Sequence, residues 1–356
     1  MKIIRSPGPP RGFCLSGDKA ASLALRPLDP APGGGDDRVS LAGGPLGFAA
    51  VEAFLHDGDR LTVWSTTLAE LDGGAGAIER LAAPRAPFAG LALDRPRIMG
   101  IVNVTPDSFH DGGRHDSADA AIAHGLGLIE AGADILDVGG CSTRPGSTPV
   151  PEDVECDRVL PVIEALAAAG AVVSVDTYRP VVMRRALDAG AAIINDVTAL
   201  AAPGAVGLVA ESGAAAVLMH MLGDPATMQR NPTYIHAPYE VYGFLAHRVR
   251  ACLDAGIAPG ALAVDPGIGF GKTVDHNLEI LGSLALLHGL GTAVLLGASR
   301  KSFISRTTGG GTDRLAGSLA AALVGAGQGA QLYRVHDVAE TRQALDLWHA
   351  TTLAAA

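Results

Sequence analysis

The chain reads as an α/β protein, a (β/α)8 TIM barrel preceded by a small N-terminal α+β extension. Three observations predict this. From residue 97 onward, short β-branched runs alternate strictly with Ala- and Leu-rich stretches of helical length. Strict alternation implies parallel strands with helical crossovers. Eight such pairs fill roughly 255 residues, the usual size of a closed barrel, and no internal sequence repeat points to a solenoid instead.

The elements follow in order. Residues 1–95 differ in texture: Gly33-Gly34-Gly35, Gly43-Gly44 and Gly73-Gly74 punctuate short apolar runs, with a strand at 61–64 and a short helix at 75–83. Pro84, Pro87 and Pro96 mark a linker. The division is therefore 1–95, an extension without an assigned role, and 96–356, the barrel. Its strands are expected at 98–104, 135–138, 172–175, 192–195, 215–219, 262–264, 293–296 and 332–335. Its helices are expected at 117–131, 152–169, 180–189, 205–212, 239–255, 276–287, 313–325 and 338–349.

Composition narrows the function. Of 356 residues, 48% are hydrophobic and 18% charged, enough apolar material for a large core. Aromatics are 4%, so that core must be aliphatic. A net charge of −10 excludes a broad nucleic-acid footprint. Any anionic ligand must be met by local basic groups, of which Arg144, Arg300, Lys301 and Arg334 fall at the expected barrel mouth. Cys14, Cys141, Cys156 and Cys252 are too scattered for a zinc pattern. The N-terminus has no apolar secretory region, and the two long uncharged stretches, 280–299 and 315–333, are broken by Gly and polar residues. The expectation is a soluble cytoplasmic protein without a membrane span.

In a barrel the residues at strand carboxyl ends share one mouth. Strand by strand these ends carry Asn103, Gly139-Gly140, Asp176, Asn195, His220, Asp265, Ser299-Arg300-Lys301 and Arg334-Val335-His336. A helix cap or turn accounts for any one of them. Caps do not account for Lys301, Arg334 and His336 beside Asp176 and Asp265. Asp176, Asn195 and Asp265 suit a flat heterocycle with a guanidine-like edge, which a buried carboxylate meets by charge-assisted hydrogen bonds. Lys301 suits ring acceptors. Arg334 and His336, with Asn103, form a more basic group suited to a phosphorylated moiety, where the Asn oxygen is a reasonable Mg2+ ligand.

The segments Arg97-Ile-Met-Gly-Ile-Val-Asn-Val-Thr-Pro-Asp-Ser-Phe109, Asp137-Val-Gly-Gly-Cys-Ser-Thr-Arg-Pro-Gly146, Asp265-Pro-Gly-Ile-Gly-Phe-Gly-Lys-Thr273, Ser299-Arg-Lys301 and Arg334-Val-His-Asp337 together resemble the dihydropteroate synthase family. The resemblance spans about residues 97–349. Ser-Arg-Lys alone carries no weight; the ordered set at barrel-strand ends does. It implies a folate-pathway transferase joining 4-aminobenzoate to (7,8-dihydropterin-6-yl)methyl diphosphate, with release of pyrophosphate. It implies a dissociative step stabilised by Asp176, with Lys301 and Asn103 also catalytic. The pterin would lie among Asp176, Asn195, Asp265, Lys301, Met219 and Phe270. The diphosphate would meet Asn103, Arg334 and His336 with Mg2+ on Asn103. The aminobenzoate would meet Phe109, Thr143, Arg144, Pro145 and Ser302, the last at a helix start. A homodimer and competition by sulfonamides are implied in the same way.

Weaker signals resolve against function. Gly267–Thr273 tempts a phosphate-loop reading, but Pro266 stands where that loop needs Gly. Lys272 then reads as a surface turn residue. Cys141 stands where the family usually has Glu, and His110 where it has Ser. Asp196 reads as a helix cap and His220 as a hydrogen-bonded core histidine. A corrinoid-linked methyltransferase barrel would share Asp176, Asn195 and Asp265 but has no use for the Ser-Thr-Arg-Pro, Ser-Arg-Lys and Arg-Val-His segments. A non-catalytic paralogue should have lost a pocket residue, and none of the matched motif positions at the pterin site is lost.

Overall fold

A computed structural model describes residues 1–10, 23–33, 37–71, 74–104, 114–141, 150–224 and 227–356. The extension holds β1 (Lys2–Arg5), β2 (Leu23–Leu28), β3 (Ala31–Pro32), β4 (Val39–Ser40), β5 (Leu46–Phe48), β6 (Ala50–Asp57), β7 (Arg60–Thr67) and α1 (Ala75–Ala82). The barrel follows as β8 (Arg97–Asn103), α2 (Arg114–Glu130), β9 (Ile135–Gly139), α3 (Glu152–Ala168), β10 (Val173–Asp176), α4 (Pro180–Asp188), β11 (Ile193–Asp196), α5 (Ala205–Ser212), β12 (Ala215–Met219), α6 (Ala237–Asp254), β13 (Leu262–Asp265), α7 (Val274–Gly282), β14 (Ala293–Leu296), α8 (Ser302–Thr308), α9 (Leu315–Gly327), β15 (Leu332–Val335) and α10 (Val338–Ala354).

Strands β8 to β15 close into one parallel barrel. They are apolar because both faces are covered, the outer by helices and the inner by the barrel's own core. Side-chain alternation sorts them. Ile98, Val102, Leu136, Val138, Val175, Ile194 and Val264 pack outward with the helices. Met99, Ile135, Ile193, Val217, Leu295 and Leu332 fill the lower interior. Above that layer the inward positions turn polar, and the site lies there.

Most boundaries lie within three residues of expectation, α10 runs five residues past 349 to Ala354, and two further departures change an element. The helix expected over 276–287 ends at Gly282; a 3-10 turn, Leu284–Leu290, carries the chain to β14. The first uncharged stretch is thus a helix end, a turn and a strand, and the second is the whole of α9 followed by the start of β15. No helix among the described residues is long and apolar enough to cross a membrane. Helix α8 is missing from the eight helices that periodicity predicts, and it starts at Ser302, where the family resemblance implies a helix start.

The extension is a four-stranded sheet, ordered β1-β7-β6-β2, beside a three-stranded one, β3-β5-β4. The four-stranded sheet is buried on both faces. Leu25, Val51, Ala53 and Trp64 meet Leu81 of α1. Ala24, Phe54, Leu61 and Val63 meet Leu286 of the 3-10 turn and Tyr239 and Tyr242 of α6. Leu286 is therefore spent on this contact and offers no free apolar surface. Arg85 ties the joint: its guanidinium donates to the carbonyls of Ala83 (2.7 Å), His288 (2.9 Å) and Thr292 (3.0 Å). Burial lowers its pKa to about 10, so it remains charged at neutral pH.

Phe88 plugs the barrel base. It is fully buried among Met99, Ile135 and Leu295. Phe88→Ala should lower the unfolding free energy by about 3–5 kcal/mol through lost burial and a residual cavity. Denaturant titration checks this; a loss under about 1 kcal/mol would mean the base closes without the ring.

Candidate active site

The site begins as an interior polar layer at the carboxyl ends of the barrel strands. Asp137 on β9 is fully buried. One of its oxygens accepts from the Ser174 hydroxyl of β10 at 2.7 Å. The other accepts from Asn195 Nδ2 of β11 at 3.0 Å and from Arg334 Nε of β15 at 2.6 Å. Arg334 Nη2 donates in turn to Asp176 Oδ2 of β10 at 2.7 Å. Asp176 and Asn195 are register partners on neighbouring strands, so both side chains point inward. The acceptor group and the basic group expected from sequence are thus a single network, with Arg334 as the bridge.

Electrostatics follow from this burial. Burial pushes Asp176 up to about 7, the Arg334 charge opposing and Asp137 reinforcing the rise. Burial disfavours the Arg334 charge, but Asp137 and Asp176 outweigh it and keep the guanidinium protonated. Asp265 at the end of β13 is also pushed up by burial, with Lys301 opposing. Its Oδ1 accepts the Gly267 N–H at 2.7 Å. Lys301 is lowered to about 8 by burial, against the pull of Asp265. Its ammonium lies 4.7 Å from the Phe270 ring centre and donates to the Ile268 carbonyl. Such a cation over an aromatic face gains about 0.5–2 kcal/mol.

The remaining expected residues fall around this centre. Met219 is the register partner of Asp265 and is buried. Asn103 ends β8, half-buried beside Gly139. His336 follows β15, where the Ser299 hydroxyl accepts its backbone N–H at 3.2 Å and lies 3.1 Å from its Nδ1. Ser302 is exposed at the first turn of α8. Phe109, Thr143, Arg144, Pro145 and His110 lie outside the described residues. Asp196 caps its loop, accepting the backbone N–H groups of Thr198 and Leu200.

Two basic residues depart from expectation. Arg300 does not face the mouth; it forks onto Asp337 on the surface, with its Nε at 2.8 Å. Lys272 is not a surface turn residue but is buried, its ammonium 2.9 Å from His220 Nδ1. The turn folds inward because glycines flank it: a side chain on Gly267 (φ +67°) would lie 1.9 Å from the His220 carbonyl. His220 is a core histidine, as expected, and burial drops its pKa to about 3.

Asp137 and Gly297 belong to the site and were missed among the candidate residues. Asp137 had a signal: a lone charge inside an apolar strand, two residues before Gly139 and so on the same face. Gly297 follows β14; a Cβ there would lie 3.3 Å from Asp265 Oδ2 and 3.9 Å from Lys301 Nζ, inside the polar layer. Nothing in its sequence context marks it.

No group of three His, Cys, Asp or Glu side chains positioned for a metal occurs among the described residues. The donors present fit an ion held mainly by substrate oxygens with Asn103 as one hard ligand, which is how Mg2+ commonly binds.

A parallel barrel with a mixed acid–base site at its strand ends is the architecture of an enzyme, and residues 99–336 match the family described as "Pterin binding enzyme". The chain is similar to the dihydropteroate synthase of Escherichia coli K12, with 48% identity over 263 residues, covering 73% of this chain and 93% of the relative. It is similar to the Xanthomonas albilineans dihydropteroate synthase solved with 4-aminobenzoic acid: 52% identity, TM-score 0.71, covering 75% of this chain and 98% of that one. The same enzyme solved with 7,8-dihydropteroate matches at 49% identity and TM-score 0.68, with coverage of 75% and 98%. Within the pterin-binding enzymes, the chain belongs to the dihydropteroate synthases.

The raised Asp176 pKa is also a statement about stability. The folded value of about 7 lies above the usual carboxylate value of 3.8, so stability is greatest below pH 4 on this account and is lost as pH rises through 7. Asp176→Asn should therefore gain thermal stability over the parent at pH 8 but not at pH 4.5. Paired melts at the two pH values check this. An equal offset at both would mean that Asp176 titrates normally.

Proposed function

We propose that the chain condenses (7,8-dihydropterin-6-yl)methyl diphosphate with 4-aminobenzoate to 7,8-dihydropteroate and pyrophosphate, in folate biosynthesis. The observation that carries this reading is the partly buried polar layer, in which Asp176, Asn195, Asp265 and Lys301 offer acceptors and a donor to a flat nitrogen heterocycle. Family membership supports it, as does the relative solved with 4-aminobenzoic acid.

The residues divide the work as follows. Asp176 and Asp265 accept N–H groups of the pterin edge, and Asn195, fixed by Asp137, completes that edge. Lys301 leaves the Ile268 carbonyl to meet a ring acceptor, and Met219 and Phe270 cover the ring faces. Arg334 spends Nε and one Nη2 hydrogen on carboxylates, which leaves Nη1 and the second Nη2 hydrogen to face the diphosphate with His336 and Asn103. Asn103 would offer its side-chain oxygen to a magnesium ion, which when bound would offset charge on the leaving pyrophosphate.

The step we infer is dissociative. The methylene C–O bond breaks first, its electron pair leaves with pyrophosphate, and the positive charge spreads over the pterin. The ionised Asp176 carboxylate stabilises that charge through the ring N–H groups, which is where a preorganised charge contributes most. The arylamine nitrogen then forms the new C–N bond and loses its proton. No covalent enzyme nucleophile takes part. Phe109, Thr143, Arg144, Pro145 and Ser302 would enclose the aminobenzoate and exclude water. We also propose a homodimer, supported by the exposed Leu323 and Val324 of α9.

A coupled pyrophosphate assay with both substrates tests the reading. Asp176→Ala should abolish turnover and pterin binding; unchanged pyrophosphate release would sink the assignment. Sulfonamides should compete with 4-aminobenzoate rather than with the pterin. Pterin affinity should rise with pH through about 7, as Asp176 ionises, and fall above about 8, as Lys301 loses its proton. Calorimetric titration across pH 6–9 reads this, and a flat profile would contradict it. His336→Ala should weaken the diphosphate substrate and spare the pterin alcohol. Arg334→Ala should weaken both, because it also releases Asp176; affinity measurements on the two ligands separate these outcomes.

A further inference from the structure

Resting on the pterin reading above, the structure assigns Lys272, Tyr234 and Gln229 as positioning residues that clamp the loop carrying Phe270. The geometry lies in the five successive carbonyls of residues 267–271, each of which accepts from a side chain. Lys272 Nζ donates to Gly267 O and Phe270 O, both at 2.9 Å. Gln229 Nε2 donates to Gly269 O at 2.5 Å, and the Tyr234 hydroxyl to Gly271 O at 2.8 Å. Lys301 donates to the fifth, Ile268 O. Four of these five bonds come from residues outside the proposed substrate contacts, and Gln229 and Tyr234 lie on the segment between β12 and α6.

This loop holds itself only weakly, through a backbone bond from the Phe270 N–H to Gly267 O at 3.1 Å. Gly267, Gly269 and Gly271 have φ of +67°, +84° and +62°, a conformation that forms neither helix nor strand ladder. Apart from that bond to Gly267 O, its carbonyls rely on side-chain donors. Lys272 reaches inward under the loop, anchored 2.9 Å from His220 Nδ1. Burial holds its pKa well below the ordinary lysine value. At the far side the loop presents the Phe270 ring and the Ile268 carbonyl to Lys301. The clamp thus sets two things at once: the height of the ring that covers the pterin face, and the resting place of the ammonium that must swing to it. Its bonds run to the loop carbonyls and to His220, and none of them involves Asn103, Ser302, Arg334 or His336.

The test compares Lys272→Met and Tyr234→Phe with the parent, each as the full chain. KM is measured for both substrates, and the free pterin alcohol is titrated directly. The pterin KM and the Kd of the alcohol should rise about tenfold in Lys272→Met and about threefold in Tyr234→Phe, since small misplacement at a binding surface is costly. The 4-aminobenzoate KM should not move. A drop in kcat with both pterin constants unchanged is what a merely structural role produces, and it overturns the proposal, as does a matching rise in the 4-aminobenzoate KM. If Lys272→Met fails to fold, Tyr234→Phe, which keeps the ring, decides the point by the same readings. Asp265→Asn separates the two levels of inference. Pterin affinity lost there but kept in the clamp variants overturns only the clamp; affinity kept in all three overturns the pterin reading itself.

Discussion

One half-buried arginine organises the mouth of the barrel. Arg334 joins Asp137 and Asp176, on strands that are not its own neighbours in the sheet. Two carboxylates withdrawn from water cost several kcal/mol each unless a cation with matching geometry faces them. The planar guanidinium meets both while keeping its charge. Through Asp137 the bridge also fixes Asn195 and Ser174. Loss of the arginine would leave two uncompensated charges, and the acceptor edge would no longer be a defined surface.

That arrangement is poised rather than relaxed. Asp176 sits near 7 and Lys301 near 8, so each is close to changing charge at neutral pH. Groups held this way destabilise the folded chain and make it responsive to a ligand that satisfies them. The opposite end of the barrel does the stabilising. There Asp134 gathers Arg95, Arg97 and Arg342, and Phe88 closes the base. The extension adds its own apolar contacts along α6 and the 3-10 turn. Function and stability thus occupy opposite faces of the same eight strands.

The barrel was legible because parallel strands buried on both faces must be short apolar runs, and the crossover helices between them must be Ala- and Leu-rich. Three of the strands, at 215–219, 293–296 and 332–335, match expectation at both ends. Of the extension, only β7 and α1 were legible. Strands β2 and β6 escaped because their sheet is covered on both sides, so Ala50–Asp57 shows no clean alternation of apolar and polar residues. The polar strand ends were legible too, since Asp176, Asn195, Asp265 and Arg334 interrupt apolar runs.

By itself, then, the sequence determined the barrel, the ring of functional side chains at its mouth and the family. Local periodicity and residue chemistry are properties of the chain, and they survive without coordinates. Only the tertiary structure decided how those side chains pair. It turned Arg300 outward to Asp337, drew Lys272 inward to His220, and set Arg334 between two carboxylates rather than apart from them. Pairing depends on which strand ends meet across the barrel and on glycines that let a loop fold back. Those are distances between residues far apart in the chain, and a one-dimensional pattern does not contain them.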